Sequence, residues 1–222
     1  MKSDAQIKQD ILDELVFEPN IDETQIGIIV EDGVVTLSGV VNDYHKKVLA
    51  NKVAKRIVGV KAVAEDIEVK YGDDFKKTDK EIAKAAVNAL EWNAAIPKEK
   101  IMVFVEDGYI YLSGKVVWDY ERKAAKRVIQ NLLGVKGVVN NIELIPDVQP
   151  DNIEEQIIKS LERSANLEAN GIRVQVDGDT VQLKGRVHSL KERELAEKAA
   201  YKGLGVRLVQ NDIVVQYSPE FV

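Results

Sequence analysis

His45 and His188 are the only two imidazoles in the 222-residue chain, so a histidine-based nucleophile–base constellation would have to be built around one of them. Cysteine is absent, which removes thiol nucleophiles, zinc–thiolate sites, cysteine-held iron–sulfur clusters and disulfides. Carboxylates are plentiful, yet the pairs Glu31-Asp32 and Glu106-Asp107 each stand directly before a glycine. Asp-Gly between apolar alternations is a hairpin turn, where aspartate bonds local backbone and has no walls to shift its pKa. The glycines follow strand spacing rather than a strand-to-helix turn, so no phosphate-cradling loop is present. No catalytic set, metal site or cofactor site is expected. Bound small-molecule substrate is not expected either.

Those residues sit inside a threefold repeat. Val30-Glu31-Asp32-Gly33-Val34-Val35-Thr36-Leu37-Ser38-Gly39 returns 75 residues on as Val105-Glu106-Asp107-Gly108-Tyr109-Ile110-Tyr111-Leu112-Ser113-Gly114. It returns again, 71 residues further, as Val176-Asp177-Gly178-Asp179-Thr180-Val181-Gln182-Leu183-Lys184-Gly185. Fixed-period similarity means repeated structural units. The same offsets place His45 and His188 opposite Tyr120 and Val117, so neither histidine belongs to a repeated site. Both read as surface or packing residues.

Each unit opens with a helix signal. Ser3 to Gln6, Thr78 to Glu81 and Asp151 to Glu154 pair an N-cap residue with Glu or Gln three places on. Ile7, Ile11 and Leu15 then mark one apolar stripe, matched by Ile82, Ala86 and Leu90 and by Ile153, Ile157 and Leu161. Period-two alternation follows through Ile26, Ile28, Val30, then Val35 and Leu37; its counterparts are Ile101, Val103, Val105, Ile110, Leu112 and Ile172, Val174, Val176, Val181, Leu183. Leu49, Val53 and Ile57 predict a second helix stopped at Gly59, with Gly134 and Gly205 as the equivalent stops, and a last apolar strand comes after each. The expected fold is α+β: three tandem αββαβ modules over 1–71, 78–146 and 150–218, each a three-stranded mixed sheet with two helices on one face. Residues 71–77 and 145–150 read as linkers, the second stiffened by Pro146 and Pro150.

An amphipathic helix, a hairpin of the form Asp-Gly-x-Val-x-Leu-x-Gly, a second helix and a Gly-Val start to the last strand resemble the BON domain. Gly33, Gly39 and Gly59 occupy the family's glycine positions in the first copy, and Gly108, Gly114 and Gly134 do so in the second. In the third, Gly185 and Gly205 match, while Gly178 sits one place early with Asp179 behind it. The resemblance implies a non-catalytic, transport-associated module that contacts phospholipid surfaces or partner proteins, in a family found in bacterial osmotic-stress, secretin and nodulation proteins.

Two surfaces follow as candidates. The second helices are basic in an acidic chain of net charge -6: Lys47, Lys52, Lys55 and Arg56, then Arg122, Lys123, Lys126 and Arg127, then Arg193 and Lys198. They can attract anionic headgroups at about 1 kcal/mol per cation. The competing reading is a solvated face paired with first-helix acids such as Asp10, Asp13 and Glu14, worth about 0–1 kcal/mol per pair. Aromatics give the second surface. Phe17 and Trp92 occupy equivalent places after the first helix, as partner or lipid anchors or, more commonly at such positions, as caps on the core. Tyr109 and Tyr111 belong on the sheet face that no helix covers, a candidate protein contact. The expected partners are an anionic membrane surface bound peripherally, a protein partner or a second copy of the chain; the acidic balance speaks against nucleic acid. An alternative is a structural adaptor or self-associating scaffold with no lipid contact. Asp4, Asp10 and Asp13 interrupt any export signal, so a cytoplasmic location is expected, periplasmic only if a leader has been removed.

Overall fold

The structure, a computed structural model, describes residues 2–72, 75–97, 99–145, 153–162 and 172–216. The stiff second linker and the third capping box therefore lie outside the described residues, at least in part.

Apolar spacing sets the elements. In the first module, α1 (Asp4–Val16) buries Ile7, Ile11 and Leu15; β1 (Ile26–Glu31) and β2 (Val34–Val41) form the hairpin; α2 (Tyr44–Arg56) and β3 (Ala62–Val69) complete the unit. The second module runs α3 (Asp79–Trp92), β4 (Ile101–Glu106), β5 (Tyr109–Val116), α4 (Asp119–Ile129) and β6 (Gly137–Leu144). The third runs α5 (Ile153–Glu162), β7 (Ile172–Asp177), β8 (Thr180–Val187), α6 (Leu190–Ala200) and β9 (Leu208–Val215). Each sheet places its hairpin's second strand centrally, in the orders β1-β2-β3, β4-β5-β6 and β7-β8-β9. Hairpin pairs are antiparallel, and β5 with β6 and β8 with β9 run parallel across the helix connection. The fold is α+β, three repeated modules, each a mixed sheet with helices on one face. Ile110 and Leu112 point into that covered face, fully buried, while Tyr109, Tyr111 and Ser113 alternate away from it.

Capping boxes close the starts of α1 and α3: Ser3 and Thr78 accept from the N–H of Gln6 and Glu81, whose side chains accept from the cap N–H in return. The Thr78 hydrogen bonds hold the Glu81 carboxyl below its ordinary pKa.

The hairpin turns differ from the reading in which aspartate stabilises its own turn. Asp32 and Asp107 adopt φ of 51° and 50°, each followed by a glycine of positive φ, the type I′ pattern. The carboxylate that satisfies the turn comes from the preceding helix: Asp4 accepts from the N–H of Asp32 and Gly33, both at 2.9 Å. Asp79 repeats this with Asp107 at 2.8 Å and Gly108 at 2.9 Å. In the hairpin turn of the third module Gly178, with φ of 58°, is left-handed while Asp179 is not, and Asp179 binds Arg207, an ion pair that keeps the Asp179 carboxyl below its usual range.

The second helix of module one also departs from the Leu49, Val53, Ile57 stripe. Ala50, Val53, Ala54 and Ile57 are buried and Leu49 is half-buried, because two alanines present the flattest surface to the sheet. In modules two and three an asparagine ties helix to last strand, Asn140 donating to the Arg122 carbonyl at 2.9 Å and Asn211 to that of Arg193 at 3.1 Å. Module one has Glu65 at the equivalent place.

The chain divides into two compact units, one of Met1–Val40, Val48–Glu68 and Val148–Val222, the other of Val41–Lys47 and Val69–Asp147. Within the first, Lys55 on α2 meets Glu194 on α6 at 3.1 Å. Within the second, the Tyr71 hydroxyl donates to the Val135 carbonyl at 2.8 Å and His45 Nδ1 lies 3.0 Å from Asn131 Oδ1. Burial raises the Tyr71 pKa. Tyr71, at the start of the expected linker, is thus anchored.

Candidate functional site

The basic helices are the first candidate, and side-chain geometry divides them. Asp119, only 5% exposed, takes Arg122 at 2.5 Å and Lys123 at 2.6 Å. Arg193 donates to the Asn211 carbonyl at 2.7 Å, and its Nε is buried without a partner among the described residues. Lys55 is held by Glu194, and Arg56 lies 3.7 Å from Glu18. Lys47 is half-buried and also has an interaction partner. The expected acidic partners are not those used: Asp10 pairs with Lys2 and Asp13 accepts from Gln9, both local to α1. What stays exposed is Lys52, Lys126, Arg127 and Lys198, with Arg56 exposed beside Glu18. Lys52, Arg127 and Lys198 share one repeat position.

Aromatic placement is more decisive. Trp92 is 88% exposed and Phe17 83%, so neither caps the core. Their helices end before the side chain can fold back: Asn93 N–H bonds to the Leu90 carbonyl and Phe17 N–H to that of Leu15, turning the chain outward.

On the uncovered sheet face of module two, Tyr109 and Tyr111 stand together with three residues that the sequence reading left out. Phe104 pairs in register with Tyr111, its ring 5.7 Å away, and Tyr111 pairs with Val139 on β6. Met102 adjoins on β4. Met102 is 67% exposed and Phe104 59%, with Tyr109 and Val139 also open to solvent. Tyr109 lies against Gly137, where a Cβ would sit 2.6 Å from the ring. Five apolar or aromatic side chains thus share one flat surface across three strands. Isolated exposed hydrophobes are ordinary, whereas a contiguous patch on a folded surface marks an interaction site.

The same face in module three carries Arg173, Gln175, Gln182 and Lys184, with Gln182 bonded to Asp212 at 2.9 Å. Module one is intermediate, with exposed Ile29 and Val34 beside Thr36 and Ser38. Elsewhere, a cleft of about 520 Å³ is lined by Lys2, Asp4, Asp32, Lys61, Val215 and Gln216. Its polar groups are engaged: Asp4 holds the hairpin turn, Lys2 pairs with Asp10, and Lys61 donates to the Asp32 carbonyl. No group of three or more His, Asp or Glu side chains suited to a metal occurs among the described residues. No helix among them is long and apolar enough to cross a membrane.

A chain of small αββαβ sheets stapled by a helix carboxylate at each of the first two hairpins, bearing surfaces rather than a walled site, is a tandem array of one module type. The chain belongs to the BON domain family, which matches residues 3–71, 78–146 and 150–217. It is similar to Osmotically-inducible protein Y of Escherichia coli (strain K12), with 29% identity over 149 residues, covering 63% of this chain and 72% of that protein. Among solved structures it is similar to CdsD, a structural protein of the type III secretion system of Chlamydia trachomatis, at 17% identity, TM-score 0.27, covering 96% of this chain and 94% of that one. The PrgH periplasmic domain matches at 13% identity and TM-score 0.21, over 87% and 96% of the two chains. Overlaps this loose carry no argument about assembly.

Proposed function

We propose that the chain is a non-catalytic binding protein of stress- or envelope-related processes whose working contact is protein on protein, made by the uncovered sheet face of module two. BON family membership and the osmotically-inducible relative support the non-enzymatic, stress-related part. The observation that carries the contact is the group of exposed Met102, Phe104, Tyr109 and Val139 around the half-buried Tyr111 on one sheet face. Aromatics and methionine are the residues that interface centres favour. A second reading, peripheral contact with an anionic phospholipid surface, is favoured by the exposed cations Lys52, Arg127 and Lys198 at one repeat position.

One comparison separates the two readings. The full chain is run from native cell extract on a sizing column and pelleted with anionic liposomes, beside a Phe104→Ser/Tyr111→Ala variant and a Lys52→Glu/Arg127→Glu variant. The parent and the charge variant are expected to elute in an assembly larger than the 24.8 kDa chain, and the sheet-face variant at the chain's own size. Elution unchanged by the sheet-face substitutions, with salt-sensitive liposome pelleting lost in the charge variant, would establish the membrane reading instead. The exposed substitutions of the charge variant should leave stability within about 0.5 kcal/mol, and loss of the Phe104–Tyr111 ring pair should cost about 0.5–1.5 kcal/mol, which urea unfolding of each variant checks.

A further inference from the structure

The rows of side chains on the uncovered face of module two are self-complementary. Across the three strands, Glu106 and Tyr109 align with Gly137, then Phe104 and Tyr111 with Val139, then Met102 and Ser113 with Asn141. A last row continues through Lys100, whose carbonyl accepts from the Lys115 N–H, with Lys115 aligned to Glu143. The turn end of β4 is therefore acidic and its far end basic, while Lys115 on β5 and Glu143 on β6 stand side by side in the last row. All of these charges are exposed. Between them lie the row Phe104, Tyr111 and Val139 and the row Met102, Ser113 and Asn141, in which Met102 is the apolar member.

Rotate a second copy by 180° about an axis lying in this face and perpendicular to the strands. Each strand then faces its own counterpart running the opposite way, the isologous geometry of a twofold dimer. Glu106 meets the partner's Lys100, Lys115 comes over the ring of the partner's Tyr109, and Phe104 packs on the partner's Met102, with Tyr111 opposite the partner's Ser113 and Val139 opposite the partner's Asn141. We infer that this face is the contact between two copies of the chain, which supplies a partner for the contact reading above and rests on it. The other modules lack the pattern. Module one has Glu31 at one end of β1 and Gln25 beyond the other, and in module three the same rotation sets Arg173 against Gln175 and Lys184 against Gln182, with no aromatic side chain in either row.

Size sets the strength. Three strands spaced by ~4.8 Å, over about 20 Å of their length, cover roughly 300 Å² per copy, well short of the ~800 Å² per partner typical of stable complexes. The dimer is thus weak and reversible.

Sedimentation velocity of the full chain from about 1 to 300 µM, at low salt, tests this. The parent is expected to pass from monomer to dimer. Phe104→Ser should weaken association at least about tenfold, as loss of a central aromatic does. Glu106→Lys alone should weaken it by placing two lysines together, and adding Lys100→Glu in the same chain should restore it. A monomer throughout, a dimer indifferent to Phe104→Ser, or a charge exchange that fails to rescue would overturn the inference. So would a parent that stays monomeric but floats with vesicles through Phe104, making a bilayer the occupant. If the purified chain is monomeric while its assembly in extract still depends on this face, the self-contact fails and the protein-contact reading stands. If neither depends on the face, both fail.

Discussion

Replacing Gly114 with alanine is expected to cost module two about 3–5 kcal/mol, enough to unfold it. Gly114 has φ of 133°, a region essentially restricted to glycine, where strain alone costs about 1–3 kcal/mol. The added Cβ would lie 2.0 Å from the Lys100 carbonyl oxygen and 3.1 Å from its carbon, both backbone atoms of the paired strand. No rotamer relieves that contact. The ladder between Ile101 and Gly114 must open, losing hydrogen bonds worth about 0.5–1.5 kcal/mol each. A module of this size has only a few kcal/mol to lose. Urea unfolding followed by the fluorescence of Trp92 and Trp118 checks this; a loss below about 1 kcal/mol would mean that the strand pair accommodates a Cβ there.

Gly134→Val should cost about 2–4 kcal/mol, less than Gly114→Ala because side chains can yield where backbone cannot. With φ of 91°, Gly134 follows α4 and turns the chain towards β6. A Cβ would come 2.8 Å from Lys77 Cβ and 3.0 Å from Ile82 Cδ1, the latter on a fully buried side chain of α3. Left-handed strain on a β-branched residue adds about 1–2 kcal/mol and overpacking about 1–3 kcal/mol. The urea midpoint should fall with an unchanged slope. An unaltered midpoint would mean that the α4–β6 connection bears no strain.

Both glycines were legible in the sequence because they recur at fixed offsets, and so were the helices and strands whose core positions repeat. Other features were hidden for physical reasons. The carboxylates of Asp4 and Asp79 serve turns 28 and 29 residues away, a pairing that no local rule for aspartate anticipates. Asp119 gathers Arg122 and Lys123 within one helical turn, so counting lysines and arginines overstated the charge left for a partner. The partner face was half visible. Tyr109 and Tyr111 stood out as tyrosines, but Met102 and Phe104 were hidden inside the run Ile101-Met102-Val103-Phe104-Val105, apolar at every position. Such a run reads as core. In a strand covered on one face only, alternate members must face outward, and that continuity was the available signal. Exposure of Trp92 and Phe17 depended on how each helix ends, which spacing does not specify.

The central claim, that the chain works through the uncovered sheet face of module two, is tested most directly by a photocrosslinking residue placed at Tyr111 and, separately, at its module-three equivalent Gln182, in cells producing the full chain. Irradiation is expected to give protein adducts from position 111, including one at twice the mass of the chain, and few or none from position 182. Lipid adducts alone from position 111, or protein adducts equal at the two positions, would contradict the account.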